Sequence, residues 1–399
     1  MLERERVFCM ASLLMLSPAP VVERAGGEVI LDVKFVEGMK LHCQLWPGPV
    51  RCILWRGQTQ IDEPLRYSVQ QLGFDLILLD AGAPVPELLL EESSMVYCAA
   101  DDMKHLDLPK TMRGRIGKVV YTVEQSLAGR MAAGIAQQAK IRRRIGSAVW
   151  NLRNERHLRA ALAQSDGVHC NGYPSRDAYS RLNPAPLFYL DNRMRTPMLA
   201  RAAEQEARVD RLREGAPLRL AWFGMLTPES NALDFLPVAQ LLTLRNVPFE
   251  MDLIGTGPLE NRLRDGIAGL GLGTQMRLSR PQGFDARLVP RMRQQADLFL
   301  SARRLPTPLS SYVEALGCGL PVLGYRNAMF RRLLRESEAG WMTPRRTPGS
   351  LARQIERLDR NRELIIQASA KAVSFARTNS FESVFARRMT HLRDIAHLE

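Results

Sequence analysis

Short apolar runs alternate along the 399-residue chain with longer segments of helical spacing. In the first half the runs are VILDV, VRCILW, DLILLD, SMVYCA, KVVYTV, GVHCNG and PLFYLD. In the second half they are LRLAWFG, FEMDLIG, MRLSR, ADLFLS, PVLGY and AGWMT. Near-continuous apolar runs separated by helical patterns predict parallel strands covered on both faces, so each half reads as a doubly wound, Rossmann-like α/β domain. The stretch VFCMASLLML near the start is too short to span a bilayer and follows MLERER, where acids match bases. It is read as a buried first strand.

The segment RMRTPMLARAAEQEARVDRLREGAP is charged, poor in large apolar residues and closed by Gly215 and Pro217. It predicts a linker, placed at residues 200–216, between an N-terminal domain over 1–199 and a C-terminal domain over 217–375. SLARQIERL, ELIIQASAKAVSFA and FESVFARRMTHLRDIAHL carry helical spacing. The last of these, over 376–399, is expected to pack back toward the N-terminal domain. In open α/β sheets ligands bind beyond the carboxyl ends of the strands, so chemistry is sought there.

Composition adds compartment and charge. With 46% hydrophobic and 24% charged residues the chain has the make-up of a soluble globular protein. Its six cysteines, Cys9, Cys43, Cys52, Cys98, Cys170 and Cys318, form no C-x-x-C pair and mostly sit in apolar runs. They read as buried thiols of a reducing, cytoplasmic setting. The net charge of +13 is concentrated: between Lys110 and Arg159 twelve Lys and Arg face only Glu124 and Glu155. This segment is either a patch for phosphate-bearing partners or a solvated basic helix face. No D-x-D and no metal-ligand spacing of His, Cys and acid occurs. Nucleic acid is not expected as a partner, since no nucleic-acid motif accompanies the basic segment and ring platforms are few within it.

The densest cluster of chemistry-bearing positions is YVEALGCGLPVLG, Tyr312–Gly324. An acid, Glu314, is read as opening a helix; small residues permit close packing, and Pro321 starts an apolar strand. Such an acid either accepts a ribose diol or caps an ordinary helix. YVEALGCGLPVLG resembles the E-A-x-x-x-G-x-P-V segment of the retaining glycosyltransferases of family 4. MDLIGTGPLENRLRD, ADLFLS and LRLAWFGMLTPESNALDFLPVAQLL are similar, in the same order, to that family's G-x-G-P turn, aspartate-led strand and first strand of the C-terminal domain. The resemblance covers roughly residues 217 to 360.

It implies a GT-B fold of two facing Rossmann-like domains and a metal-independent, cofactor-free transfer of a sugar from a nucleoside diphosphate sugar. Glu314 falls where the family holds the donor ribose. The donor side is then drawn from Gly224, Leu226, Thr227, Gly255, Thr256, Gly257, Arg280, Ser310, Ser311 and Tyr312, with base selection near Arg280 and Pro281. Two cations that clamp the diphosphate in the family are replaced by Met225 and Ser230, and the family's first acid falls on Pro306. Arg303 and Arg304, ending the strand ADLFLSA, are the candidate replacements.

In the N-terminal half, Glu124 ends KVVYTV and is the candidate for contact with sugar hydroxyls or for proton acceptance. Asp32, Lys34 and Glu37, leaving an early strand, together with Asn171, Asp191 and Arg193, are either acceptor-side groups or plain turns. The resemblance and the basic segment imply a saccharide or lipid-linked acceptor in envelope or exopolysaccharide assembly. They also imply an anionic membrane surface, with Lys140–Arg159 docking the protein peripherally at the inner membrane. The alternative is a GT-B scaffold that kept the ribose acid and lost the diphosphate clamp.

Overall fold

The computed structural model describes residues 11–57, 61, 64–137, 141–281 and 283–398. The chain divides into two compact units, one made of Met1–Leu127, Ala148–Tyr189 and Glu382–Glu399, the other of Ala128–Ser147 and Leu190–Phe381.

The strands of the first unit are β1 (Leu13–Leu16), β2 (Val22–Arg24), β3 (Glu28–Asp32), β4 (Val50–Trp55), β5 (Pro64–Ser68), β6 (Asp75–Leu79), β7 (Met95–Ala99), β8 (Lys118–Val123), β9 (Gly167–Asn171) and β10 (Pro186–Tyr189). Seven of them form a parallel sheet in the order β10-β9-β8-β7-β1-β4-β6. The two-residue alternation of side chains decides which face each residue serves. Leu13, Met15, Cys52, Leu54, Met95 and Tyr97 enter one core, while Leu14, Leu16, Ile53, Val96 and Cys98 enter the other. The run VILDV corrects the expectation of parallel strands throughout, since its residues in β3 pair antiparallel with β2 and β5 in a separate three-stranded sheet. Cys52, Cys98 and Cys170 are buried free thiols and Cys43 a half-buried one; Cys9 lies outside the described residues.

The second unit holds β11 (Leu218–Phe223), β12 (Phe249–Ile254), β13 (Met276–Ser279), β14 (Leu298–Ser301), β15 (Val322–Tyr325) and β16 (Gly340–Thr343), all parallel, in the order β13-β12-β11-β14-β15-β16. The chain winds outward from β11 through β12 to β13, returns to β14, and winds out the other way. The topological switch point, where open α/β sheets bind ligands, therefore lies at the carboxyl ends of β11 and β14. In the first unit the same reversal falls between β1 and β7.

Residues 200–216, read from the sequence as a linker, carry the helix Ala202–Arg213 and lie within the second unit. Two of its arginines make it part of that unit's core. Arg211 pairs with the buried Asp297, which also accepts the Arg219 backbone N–H at 2.8 Å, so the acid that leads ADLFLS ties β14 to β11 and to this helix. Arg208 is buried and donates to the carbonyls of Ala296, Gly319, Arg293 and Cys318 at 2.8–3.0 Å. The three C-terminal helical segments are the helices Pro348–Arg360, Glu363–Thr378 and Phe381–Ile395, and from Glu382 onward the last belongs to the first unit.

Candidate functional site

At the switch point of the second unit, β11 is followed by Gly224, and its loop interlocks with the loop that follows β12. Gly224 N–H donates to the Ile254 carbonyl at 3.1 Å, Leu226 N–H to Thr256 at 2.8 Å, and Leu259 N–H to Leu226 at 3.0 Å. A Cβ on Gly255 would stand 2.2 Å from the Gly224 carbonyl oxygen. Gly257 adopts a φ of 146° and a Cβ there would stand 2.8 Å from the Leu226 oxygen. Both glycines of the G-T-G-P turn are therefore required by loop-on-loop packing. Leu226 is fully buried beneath them, while Thr227 accepts the Ser230 hydroxyl at 2.7 Å and leads into a single tight turn.

Glu314 lies in the second turn of the helix Ser310–Gly317, whose first turn holds no acid. This corrects the expectation that it opens the helix, and removes the N-terminal capping alternative for it. Glu314 is buried, its Oε1 accepts the Arg193 backbone N–H at 3.3 Å, and the Arg193 Nε stands 3.8 Å from the same oxygen. The Arg193 guanidinium lies over the Phe284 ring, 4.1 Å from its centroid. Arg193 and Asp191, assigned from sequence to the acceptor side, belong to the second unit, and Arg193 meets the proposed ribose acid itself.

The two candidate phosphate arginines have different surroundings. Arg304 is exposed and committed: it donates to Asp234 at 2.8 Å, and Tyr325 donates to the same carboxylate oxygen at 2.9 Å. Arg303 is half-buried and donates to the Thr307 hydroxyl at 2.6 and 3.2 Å, while Asn327 donates to its carbonyl at 3.1 Å. Among the described residues no carboxylate pairs with it. Burial lowers its pKa, and the attraction of Glu229, on the turn after Gly224, opposes that. Beside it Ser311 is buried, Ser310 half-buried, and the buried Tyr312 hydroxyl lies 3.0 Å from that of Ser301 at the end of β14.

Arg280, expected near the donor base, is exposed and pairs with Glu260 at 3.1 Å. It borders a pocket lined also by Arg287, Arg291, Leu288, Pro290 and Ile254, in which Arg291 holds Asp252 at 2.7 Å.

In the first unit, Glu124 is exposed just beyond β8, and the Asp101 carboxylate fixes the strand exit by accepting the N–H groups of Glu124 at 2.6 Å and Gln125 at 3.1 Å. Asn171 ends β9 buried, its carbonyl accepting the Ser175 hydroxyl at 2.6 Å. Asp32 ends β3 and is the N-cap of the helix Val33–Leu45, accepting the Phe35 N–H at 3.2 Å; Lys34 and Glu37 leave that strand within the helix. Among the described residues no group of three or more His, Cys, Asp or Glu could hold a metal ion.

Sequence reading did not find a buried polar cluster in the first unit. Arg388 donates to the Tyr97 hydroxyl at 2.6 and 3.2 Å, that hydroxyl lies 3.0 Å from Nδ1 of His169, and His169 Nε2 lies 3.0 Å from Nδ1 of His391. The row is satisfied when Tyr97 donates to His169 and His169 to His391, with both imidazoles neutral.

Residues 204–374 match the family model of the Glycosyl transferases group 1. The amylovoran biosynthesis glycosyltransferase AmsK of Erwinia amylovora is 24% identical over 186 residues, which is 44% of this chain and 44% of that relative, so under half of its length is matched. Among solved structures, HepE of Anabaena superposes with a TM-score of 0.67 at 13% identity, covering 96% of this chain and all of that one. The lipopolysaccharide glycosyltransferase WaaG superposes with a TM-score of 0.60 at 12% identity, covering 95% and 99%. Through residues 204–374 the chain resembles the group 1 glycosyltransferases, and its two parallel sheets carry the GT-B fold.

Proposed function

We propose that the second unit binds a nucleoside diphosphate sugar and that the protein transfers the sugar, with retention, to a hydroxyl acceptor in polysaccharide or envelope assembly. The observation that carries the donor site is that the segment leaving β14 at the switch point holds both a buried acid, Glu314, and Arg303, which among the described residues has no carboxylate partner. In this reading Glu314 accepts the ribose diol and Arg303 meets the diphosphate in place of the cations replaced by Met225 and Ser230. The chemistry is mainly positioning and stabilisation of the departing diphosphate by fixed positive groups, and needs no protein nucleophile. Glu124 is the carboxylate we assign to the sugar hydroxyls or to proton acceptance. HepE is described in complex with UDP and with UDP-glucose, which makes uridine the first base to test here.

A thermal-shift screen against UDP, GDP, ADP, TDP and their sugars tests the donor site, since a ligand at 100 times its dissociation constant adds about 2.7 kcal/mol. Arg303→Ala is then expected to weaken binding of the selected diphosphate by about 1.5–3 kcal/mol, with the free nucleoside affected far less. Arg304→Ala, which removes a partner of Asp234, is expected to leave both affinities near the parent's. Equal affinity of the parent and Arg303→Ala for the diphosphate would refute the substitution of cations.

Pro306, at the position of the family's first acid, favours a second reading in which the unit binds nucleotide and no transfer follows. Hydrolysis of a nucleotide sugar by the pure protein, lost in Glu314→Gln, supports the enzyme; binding without any turnover supports the scaffold.

A further inference from the structure

The helix Ile141–Gln164 buries Leu158, Ala161 and Leu162 against the first unit's core. Its outward side is not polar. Ile141, Ile145, Val149 and Leu152 are 66, 59, 42 and 51% exposed. Spacings of four, four and three residues put all four on one stripe of an α-helix, opposite the packed face. Trp150, 51% exposed, is turned away from the stripe, since the turn of the helix sets it on a different side from Ile141, Ile145 and Leu152. An uncovered run of large aliphatic groups costs free energy in water, and its continuity over three turns distinguishes it from scattered surface apolar residues.

The same helix carries Arg142, Arg143, Arg153 and Arg156, all exposed, and among the described residues none of the four pairs with a carboxylate. Arg156 continues the apolar stripe by one turn, and Arg142 and Arg153 stand along one edge of it. Lys140, counted in the basic segment from sequence, lies outside the described residues. No described helix is long and apolar enough to cross a membrane.

We infer that this stripe is a docking surface for an anionic lipid bilayer, with the helix lying in the plane of the interface. The aliphatic row enters the acyl boundary, and the arginines meet lipid phosphates. Charge selects this occupant. A second copy of the helix would set one unpaired arginine row against another, and a nucleic acid would give the central aliphatic row nothing to bury against. The inference goes beyond the donor site and does not depend on it.

Flotation of the full chain with vesicles, without nucleotide, is the test. Vesicles of phosphatidylcholine alone are compared with vesicles containing about 30% phosphatidylglycerol, at low and high salt. The parent is expected to float with the anionic vesicles, and less so at high salt. Ile145→Ser/Leu152→Ser and Arg142→Gln/Arg153→Gln are each expected to lower the partition coefficient at least tenfold. Both pairs are exposed, so the melting temperature should match the parent's, and nucleotide affinity measured on the same proteins should be unchanged. Equal flotation with neutral and anionic vesicles, no flotation, or an unaffected serine variant overturns the inference. So does a dimer in sedimentation velocity that the serine variant dissociates, which would make the stripe a self-association face.

Discussion

Replacement of Arg208 by Met is expected to destabilise the second unit by about 3 kcal/mol or more, an effect of the size seen when a buried charge network loses a member. Methionine keeps the aliphatic stem, but the carbonyls of Ala296, Arg293, Cys318 and Gly319 lose their guanidinium donor, as does the Ser369 hydroxyl at 3.1 Å. Gly319 still accepts from Ser369 at 2.7 Å, which limits the loss at one acceptor. Burial lowers the Arg208 pKa, and the negative charge of Asp297 opposes that. Arg208→Lys should fall between parent and Met, since an ammonium cannot reproduce the planar fork. Urea unfolding checks this. A Met variant within about 0.5 kcal/mol of the parent, the range of an ordinary surface change, would return residues 202–213 to the role of a simple connector.

Acid is expected to loosen the first unit well above the range where carboxylates titrate. His42 is buried, donates from Nδ1 to the Gly38 carbonyl at 2.8 Å, and leaves Nε2 without a partner among the described residues. Burial first, and the nearby Arg388 charge second, push its pKa down to about 3. His169 is pushed well below the ordinary value by the same burial and by Arg388, and His391 is lowered by burial. A histidine whose folded pKa is depressed stays neutral while the unfolded chain takes up a proton. The unfolded state then binds more protons below pH 6.5, so stability is full above that value and falls as pH drops toward the folded pKa. For His42 alone the loss by pH 5 is about 2 kcal/mol. Arg388 and His391 stand on the helix Phe381–Ile395, so its segment from Glu382 on should lose amide protection first. Urea midpoints at pH 7.5, 6 and 5 test the slope, and His42→Leu should flatten it by about one proton. A midpoint independent of pH from 7.5 to 5 would contradict the neutral-histidine cluster.

The strands of both parallel sheets were legible because burial on two faces leaves near-continuous apolar runs such as LLML and LRLAWF. β2 and β5 were not: VER and PLRYS are short, charged and largely exposed, and pair within a sheet of their own. Glu314 was legible as a position, because the small residues and proline after it keep their spacing. Its partner was not, since Arg193 comes from 121 residues away and DNRM looks locally like any turn. Arg208 was misread for a related cause. A run of charges signals solvent on average, and nothing local marks an arginine that will be satisfied by backbone carbonyls. The glycines of GTGP were legible as a turn, and the structure supplies its physical cause as contact between two loops. Arg303 and Arg304 are adjacent in sequence, and only tertiary structure separates the one held by Asp234 from the one that has no carboxylate partner among the described residues.

The central claim, that the second unit holds a donor nucleotide through Glu314, is tested most directly by calorimetry of the selected nucleoside diphosphate with the parent and with Glu314→Gln. The amide keeps the shape of the acid and loses the charge-assisted bond to the ribose diol, so the account predicts a loss of about 1–3 kcal/mol, or roughly 5- to 150-fold in Kd, in a variant that melts as the parent does. An unchanged Kd in that folded variant would contradict it.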